Sequence, residues 1–219
     1  MTSEHGFITL IPVNRLERAK GRLEKLLTPE ERSTLAMITT RTVVDAAVAL
    51  GPVAILTADE AVKTAFGAEA RILNEDPGLR GLNPQLESGL KRLGEYRSIL
   101  ILHADLPLAS TAQLSLVSEG AKGEGSVAIV RPADGGTNAM LLRPPGRFAL
   151  AYGTGSCALH TKAAEDAGMA VATVESADLE VDLDTPEDVA ALLASETGRA
   201  SKAGQFLLVR GVEGRLDAS

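Results

Sequence analysis

Short apolar runs alternate along the first half of the chain with longer segments in which apolar residues recur at helical spacing. The short runs have the length and composition of strands, and we predict strands over residues 7–13, 53–57, 70–74 and 98–104. Helical patterns follow or separate them near residues 28–50, 59–66, 82–94 and 110–120. Strands that alternate with helices imply right-handed crossovers, so the pattern predicts an α/β protein with a mainly parallel sheet.

The segment 28–50 carries the clearest helix signals. Thr28 can cap the helix, Pro29 suits its first position, and Glu31 completes a capping box. The apolar residues that follow fall on one side at helical spacing, as Leu35, Ile38, Val43, Ala46 and Leu50. We therefore expect a long helix that packs against the sheet.

The pattern changes after residue 125. Strands are predicted over 126–131 and 139–143, and the link between them is too short for a helical crossover, so we expect them to pair antiparallel. A helix near 156–167, a strand over 170–174 and a helix after Thr185-Pro186 follow. The polar segment 194–204 is predicted as a linker, and 205–210 as an added strand. We therefore divide the chain into a domain over 1–193 and a C-terminal segment over 194–219.

Composition excludes several classes of protein. The chain has 219 residues, is 45% hydrophobic and has a formal net charge of −7, which suits one sizeable domain and argues against a protein that coats nucleic acid. Cys157 is the single cysteine, so no intrachain disulfide can form, and the three histidines show no metal-ligand spacing. We expect no signal peptide, because the start "MTSEHGFITL" lacks the basic and long apolar regions of one. We expect no membrane span, because Asp45 and Gly51-Pro52 interrupt the longest apolar region. The expected location is the cytoplasm.

A concentration of basic residues follows the first strand. Arg15, Arg18, Lys20 and Arg22 lie within eight positions, and Gly21 would let the backbone approach a ligand. In an acidic protein such a loop suits a triphosphate, although a solvated basic loop is the better interpretation when this segment is taken alone. The segment is not a Walker motif. Ligands of open α/β sheets bind beyond the carboxyl ends of the strands, which is where this loop begins.

Three aspartates could form a metal site. Asp105 follows a predicted strand, where it could bind a metal or only stabilise a turn. In "VDLDTPED", Thr185-Pro186 already begins the next helix, which leaves Asp182 and Asp184 without a capping role. Residues i and i+2 of an extended segment point to the same side, so both carboxylates can converge on one ion. With Asp105 they make an oxygen-rich site suited to Mg²⁺.

Two glycine-rich segments could bind an anion. The segment "DGGTNA" at 134–139 favours a hairpin turn, but its backbone could also cradle an anionic substrate, with Thr137 and Asn138 as added donors. In "YGTGSCALH" at 152–160, two glycines lead to Ser156, a predicted N-cap, and free amides at a helix start form an anion site. His160, one turn later, is expected to pack in the interior.

These segments, in this order, resemble the family of 2-phospho-L-lactate guanylyltransferases and their phosphoenolpyruvate-using relatives, which act in coenzyme F-420 biosynthesis. The matching stretches are "IPVNRLERAKGRL", "GLN", "ADLPL", "DGGTNA", "YGTGSCALH" and "VDLDTPEDV". The resemblance spans residues 7 to about 193. It implies a three-layer nucleotidyltransferase fold related to the glycosyltransferase-A fold, with a mixed, mostly parallel sheet and helices on both faces. The chain differs from the usual family pattern at Asn14, where Lys is common, and at Cys157, where an aromatic residue is common.

The resemblance also implies roles for individual residues. It places Mg²⁺ on the three aspartates and the triphosphate of GTP along Lys20 and Arg22, so that Lys20, Arg22 and Asp105 are the expected catalytic residues. Asn83 would lie near the nucleoside. The phosphate and carboxylate of the acid substrate would lie near Thr137, Gly153 and Ser156, and Asn138 is a further candidate for substrate binding.

The reaction that the resemblance implies needs no protein nucleophile. A phosphate oxygen of 2-phospho-L-lactate or phosphoenolpyruvate would attack the α-phosphorus of GTP and expel pyrophosphate, and a phosphate monoester is already an anion at neutral pH. The expected partners are GTP and a small phosphorylated carboxylic acid, without nucleic acid or membrane. The alternatives are a nucleotidyltransferase of the same fold that acts on a sugar phosphate or 3-phosphoglycerate, and a catalytically silent nucleotide-binding protein. The apolar run at 205–210 suggests a possible homodimer.

Overall fold

The computed structural model describes residues 5–216 of the chain, and its centre is one seven-stranded sheet. The strands, in chain order, are β1 (His5–Val13), β2 (Val53–Thr57), β3 (Arg71–Asn74), β4 (Tyr96–Leu102), β5 (Ser126–Val130), β6 (Ala139–Arg143) and β7 (Ala170–Val174). All strands predicted from the sequence up to residue 174 are confirmed, with shifts of a few residues at their ends.

The strand order across the sheet is β3-β2-β1-β4-β6-β5-β7. The pairs β1–β2, β1–β4, β2–β3 and β5–β7 are parallel, whereas β6 runs antiparallel to both of its neighbours, β4 and β5. Because β6 alone is reversed within this sheet, the carboxyl ends of the other six strands meet at one edge. The predicted mixed, mostly parallel sheet and the predicted antiparallel pairing of residues 126–131 with 139–143 are both confirmed.

Helices cover both faces of the sheet. They are α1 (Pro29–Leu50), α2 (Glu60–Phe66), α3 (Leu82–Arg92), α4 (Thr111–Gly120), α5 (Ser156–Asp166), α6 (Ala177–Glu180), α7 (Pro186–Ala194), α8 (Glu196–Ala200), α9 (Lys202–Val209) and α10 (Val212–Leu216). Alternate residues of β1 enter different cores: Ile11 and Val13 pack with α1, α2 and α4, whereas Ile8 and Leu10 pack with α3 and α5. The predicted helical layers on both faces are confirmed.

The start of α1 follows the predicted capping box. The hydroxyl of Thr28 accepts a hydrogen bond from the amide of Glu31 at 3.2 Å, and the Glu31 carboxylate accepts one from the amide of Thr28 at 2.9 Å. By length and composition alone α1 could cross a membrane, the one such helix among residues 5–216. In this fold it packs in the core, where Leu35 and Val43 are completely buried.

The chain beyond residue 194 differs from the prediction. The segment predicted as a linker forms α8 and the start of α9, and the segment predicted as an added strand lies in α9. The strand prediction was wrong because a short apolar run is compatible with a strand or with a buried helix, and periodicity alone does not separate them. Two serine caps set the helices: Ser195 accepts from the amide of Gly198, and Ser201 from that of Gly204.

A third core joins this region to the rest of the domain. We call α8, α9 and α10 (residues 196–216) the C-terminal cap. Its buried residues Leu207 and Val212 pack with Leu23 from the loop after β1 and with Leu183, which lies between two of the predicted metal ligands. Leu207 of α9 is used within the chain, whereas Val209 of the same run is 85% exposed. The homodimer suggested by residues 205–210 and the domain boundary at 193 both stay predictions.

Candidate active site

A cavity of about 790 Å³ lies at the edge of the sheet where the parallel strands end. The loop after β1, the loop before α3 and the turn after β4 line it, together with part of α1. The predicted loop residues Lys20, Arg22 and Asp105 all line this cavity, and so does Asp184. The carboxyl ends of the strands therefore form the ligand-sized opening that this class of sheet predicts.

Lys20 is the best-buried charged residue of the cavity. Its ammonium lies 3.3 Å from Asp105 Oδ2 and 3.2 Å from Asp184 Oδ1, and 4% of its side chain is exposed. Its backbone has φ 55° and ψ 35°, the left-handed conformation that non-glycine residues rarely adopt. Such a conformation is held by its surroundings and is frequent at functional sites. Here it starts a short 3-10 turn over Gly21–Leu23 and directs the Lys20 side chain inward.

The three predicted aspartates come together. One carboxylate oxygen from each of Asp105, Asp182 and Asp184 lies within 4.8 Å of the others. The intervening Leu183 is fully buried, and its amide donates to the carbonyl of Asp105 at 3.3 Å, which ties the two segments to each other. Asp188 accepts from the amide of Asp184 at 3.0 Å and so sets the backbone at the second ligand of the pair.

The electrostatics of this group favour a cation. Burial alone would lower the pKa of Lys20, but the carboxylates of Asp105 and Asp184 outweigh burial, so that the pKa lies above its usual value. Burial alone would raise the pKa of Asp105, but the charge of the Lys20 ammonium outweighs burial, so that the pKa of Asp105 lies below its usual value. Burial, followed by the charges of Asp105 and Asp184, raises the pKa of Asp182 to about 7. One ammonium therefore does not balance three carboxylates.

The donor set fits a metal ion. Within the described part of the chain, Asp105 Oδ1 is buried and has no hydrogen-bond partner, whereas buried polar atoms are normally paired. The group offers only carboxylate oxygens, and hard divalent cations prefer oxygen ligands. Asp105, Asp182 and Asp184 could therefore hold a metal ion, as predicted from the strand end at Asp105 and the two-residue spacing of Asp182 and Asp184.

The two glycine-rich segments also meet. Ser156 Oγ donates to Thr137 Oγ1 at 3.0 Å, and His160 Nδ1 lies 3.1 Å from the same oxygen. The N-cap of α5 is Gly155, with φ 68°, and not Ser156 as predicted, because the glycine adopts the left-handed turn that starts the helix. Ser156 occupies the first helical position instead. His160 is fully buried, which confirms its predicted packing.

His160 is held in one tautomer. Its Nε2 accepts a hydrogen bond from the amide of Ala151 at 2.9 Å. Burial is the main cause that lowers the pKa of His160 to about 4, so the ring is neutral at pH 7 and its proton lies on Nδ1. Thr137 Oγ1 therefore accepts from both His160 and Ser156, which leaves its own hydroxyl proton to donate elsewhere.

Three other predicted residues have different surroundings. Asn138 is buried, and its amide donates to the carbonyl of Leu179 at 3.0 Å, just before the aspartate pair. Gly153 is exposed and has φ 139°, and a Cβ added there would meet open space. The Asn83 side chain accepts from the amide of Tyr152 at 2.8 Å and donates to its carbonyl at 3.1 Å. Proximity of Asn83 to a nucleoside stays a prediction.

Several residues of the site were not found from the sequence. One is Arg80, which lines the cavity beside Arg18 of the predicted basic loop. Another is Gln85, which holds the loop before α3 by hydrogen bonds to the backbone of Asp76 and Leu79. An isolated Arg or Gln carries no motif, so no local signal marks either of them. His103 lines the cavity too, and its ring lies 5.2 Å from that of Tyr152, which in turn lies 4.7 Å from that of His160.

Comparison with protein families identifies relatives over nearly the whole chain. The family model described as "Guanylyl transferase CofC like" matches residues 7–214. A phosphoenolpyruvate guanylyltransferase of Rubrobacter xylanophilus is 41% identical, over 85% of this chain and 93% of the relative. A phosphoenolpyruvate guanylyltransferase of Conexibacter woesei is 36% identical, over 88% of this chain and 91% of the relative. A 2-phospho-L-lactate guanylyltransferase of Methanothermobacter thermautotrophicus is 32% identical, over 90% and 88%.

Solved structures share the fold at low identity. A chain from Desulfovibrio desulfuricans G20 has a TM-score of 0.78 at 16% sequence identity, and the match covers 98% of each chain. A nucleotidyl transferase from Methanothermobacter has a TM-score of 0.63 at 20% identity, over 85% of this chain and 95% of the other. These similarities confirm the predicted nucleotidyltransferase fold.

Proposed function

The chain belongs to the CofC-like guanylyl transferase family, and on that basis we propose that it transfers GMP from GTP to the phosphate of a small phosphorylated carboxylic acid. Pyrophosphate is released, and the product serves coenzyme F-420 biosynthesis. One observation carries the proposal: Lys20, Asp105 and Asp184, from three distant parts of the chain, meet at the wall of one large cavity.

Asp105, Asp182 and Asp184 are proposed to hold Mg²⁺. The all-oxygen donor set, the unpartnered Asp105 Oδ1 and the surplus negative charge support this assignment. When bound, Mg²⁺ would supply positive charge that neutralises phosphate oxygens and holds them in line for displacement.

Lys20 and Arg22 are proposed to bind the triphosphate. Lys20 keeps its proton because the neighbouring carboxylates raise its pKa, so it can stabilise the charge that develops on the leaving pyrophosphate. Arg22 is exposed on the same cavity wall, where its guanidinium can reach phosphate oxygens. Asn14, at the position where Lys is common in the family, also lines the cavity, and its Oδ1 accepts from the amide of Arg15 at 2.8 Å.

Thr137, Ser156 and Gly153 are proposed to bind the acid substrate. Thr137 and Ser156 are buried, and because Thr137 Oγ1 accepts from both Ser156 and His160, the hydroxyl proton of Thr137 remains available to donate to a carboxylate or phosphate oxygen. The exposed backbone of Gly153, next to the start of α5, can add amide donors. An attacking phosphate oxygen held this way needs no general base, since it is already an anion at neutral pH.

Phosphoenolpyruvate is the acceptor that we expect to react best. The relatives described above at 41% and 36% identity are phosphoenolpyruvate guanylyltransferases, and the 2-phospho-L-lactate enzyme described there is less similar, at 32%. The acceptors differ by a few atoms near one pocket, so 2-phospho-L-lactate and 3-phosphoglycerate are the comparisons to make. We place the reaction in the cytoplasm, where GTP and phosphorylated acids are available.

A direct assay tests the proposal. Purified protein is incubated with GTP, MgCl₂ and each acid in turn, and the mass of a GMP adduct and the release of pyrophosphate are measured. We expect the adduct with phosphoenolpyruvate, and loss of turnover in Asp184→Asn while the protein stays folded by circular dichroism. Asp166→Asn, which changes an exposed carboxylate paired with Lys162, is the matched control and should retain activity. GTP binding without release of pyrophosphate from GTP, whichever acid is present, would refute the proposal.

A further inference from the structure

The loop that carries Lys20 and Arg22 has little regular structure of its own. It consists of two short 3-10 turns, over Leu16–Arg18 and Gly21–Leu23, before α1 begins at Pro29. Its buried anchors are Leu23, Leu26 and Leu27, each at most 4% exposed. These three residues belong to the core built by α7 and the C-terminal cap. The proposed triphosphate loop is therefore held from the far end of the chain.

Arg215 fastens the cap to this loop. Its guanidinium makes a bidentate pair with Glu31, with distances of 2.8 Å and 3.0 Å to the two carboxylate oxygens. It also donates to the carbonyl of Leu26 at 3.0 Å and to that of Arg210 at 2.9 Å. Because Glu31 simultaneously caps α1 through the amide of Thr28, one guanidinium connects α10, the end of the loop and the first turn of α1.

The same core reaches the proposed metal ligands. Leu183, between Asp182 and Asp184, packs in the cluster that holds Leu23 and Leu207. The two sides of the proposed site, the lysine loop and the aspartate pair, thus rest on one apolar support, and the cap supplies part of it. A shift of the cap would move both groups at once.

We propose that Arg215 is a positioning residue, which acts through Glu31 and the Leu26 carbonyl to hold the loop of Lys20 and Arg22 against the triphosphate. This proposal rests on the proposed function for the identity of the ligand, but the loop geometry itself is independent of it. Arg215 is not one of the residues that line the cavity, so we expect it to touch no reacting group. Its effect is on the placement of the loop, and the binding of GTP should respond more than the binding of the acid.

The test compares Arg215→Gln and Arg215→Lys with wild type. We expect Arg215→Gln to raise KM for GTP about tenfold or more, since a misplacement of about 1 Å at a binding group can change rates a hundredfold. KM for the acid should change less. Arg215→Lys should lie in between, because an ammonium can pair with Glu31 but lacks the fork that reaches the Leu26 carbonyl. All rates are measured at a temperature where each variant is fully folded.

Hydrogen exchange provides a readout that needs no turnover. The amides of Leu23, Leu26 and Leu27 bond within the loop, at 2.9, 2.9 and 2.8 Å, and should exchange about tenfold faster in Arg215→Gln, in line with the loss of hydrogen bonds to a charged group. If the wild-type protein shows no guanylyl transfer but Arg215→Gln still exchanges faster than wild type at these amides, the proposed function is refuted and the positioning role stands.

Arg199→Gln is the matched control. Arg199 pairs with Glu213 in the same cap, with side chains 46% and 49% exposed, and donates to the carbonyl of Leu193 at 3.2 Å. The variant therefore loses an ion pair and a hydrogen bond of the cap, neither of which touches the loop. It should keep wild-type KM values and loop exchange. The positioning role is overturned if Arg215→Gln lowers only the melting temperature and leaves both the KM for GTP and the exchange of the loop amides unchanged, or if Arg199→Gln shifts them equally.

Discussion

Replacement of Lys20 by Met tests whether the buried ammonium stabilises the carboxylate group. Met has a similar length and, like Lys, an unbranched side chain, so we expect the substitution to remove mainly the charge. The substitution removes the ammonium, which in the wild type lies 3.3 Å from Asp105 and 3.2 Å from Asp184. The two acids lose their nearest positive neighbour, and we expect the folded state to lose stability at pH 7 in the absence of divalent metal.

The magnitude follows from the exposure of the three groups. Removal of one partner from a fully buried pair costs about 3–5 kcal/mol, whereas an exposed pair contributes about 0–1 kcal/mol. The Lys20 side chain is 4% exposed, but those of Asp105 and Asp184 are 25% and 46% exposed, so water screens the acids in part. We therefore expect a loss of about 2 kcal/mol in the free energy of unfolding, between those limits.

Mg²⁺ should reduce this difference. Without Lys20 the three aspartates carry one more unbalanced negative charge, so a bound cation should stabilise the variant more than wild type. A ligand at a hundred times its Kd adds about 2.7 kcal/mol to the stability of the state that binds it.

Urea unfolding with EDTA and with MgCl₂ measures both effects. Lys25→Met, an exposed lysine of the same loop, is the control, with an expected change within about 0.5 kcal/mol. A Lys20→Met protein as stable as wild type in EDTA would refute the electrostatic argument, as would the same Mg²⁺ stabilisation in both proteins.

Two further predictions concern the C-terminal cap. Gly204→Ala should lower the free energy of unfolding by about 1–3 kcal/mol, because a Cβ there would lie 2.0 Å from the carbonyl oxygen of Gly198. The control is Gly214→Ala, whose Cβ would meet open space and which should be neutral or stabilising. Equal urea midpoints for the two variants would contradict this prediction. The Arg215 hydrogen bond lowers the pKa of Glu31 from 4.5 to about 2, so its contribution is complete above pH 4.5 and is lost as pH falls towards 2. The stability gap between wild type and Glu31→Gln, about 1–2 kcal/mol at pH 6, should therefore shrink by pH 3 in urea titrations, and a constant gap would refute the linkage.

Local chemistry determined the elements that could be predicted. Thr28, Pro29 and Glu31 are adjacent in the chain, so their capping box forms as soon as that turn does, and the start of α1 was predictable. The same holds for Thr185-Pro186 at the start of α7. The alternation of strands and helices was equally predictable, because each buried strand corresponds to one short apolar run in the sequence.

Part of the site could also be predicted from the sequence. Asp182 and Asp184 lie two residues apart and have no capping role, which predicted that they share a ligand, and Asp105 follows a strand that ends at the ligand-binding edge. Their convergence within 4.8 Å agrees with that prediction. It was accessible because each residue carries a local sign of its place, either a strand end or a capped helix.

Tertiary structure alone decided how these residues are surrounded. Lys20 was one of four basic residues in a loop, and only the fold buries it against two acids that are 85 and 164 positions away in the chain. Likewise only packing turns the apolar run at 205–210 into a helix that supports the loop, and brings Arg215 to Glu31 across 184 positions. Short-range signals set hydrogen bonding within a turn or a helix. Burial and electrostatic pairing depend on which distant segments share a core, and a single sequence carries no local mark of that.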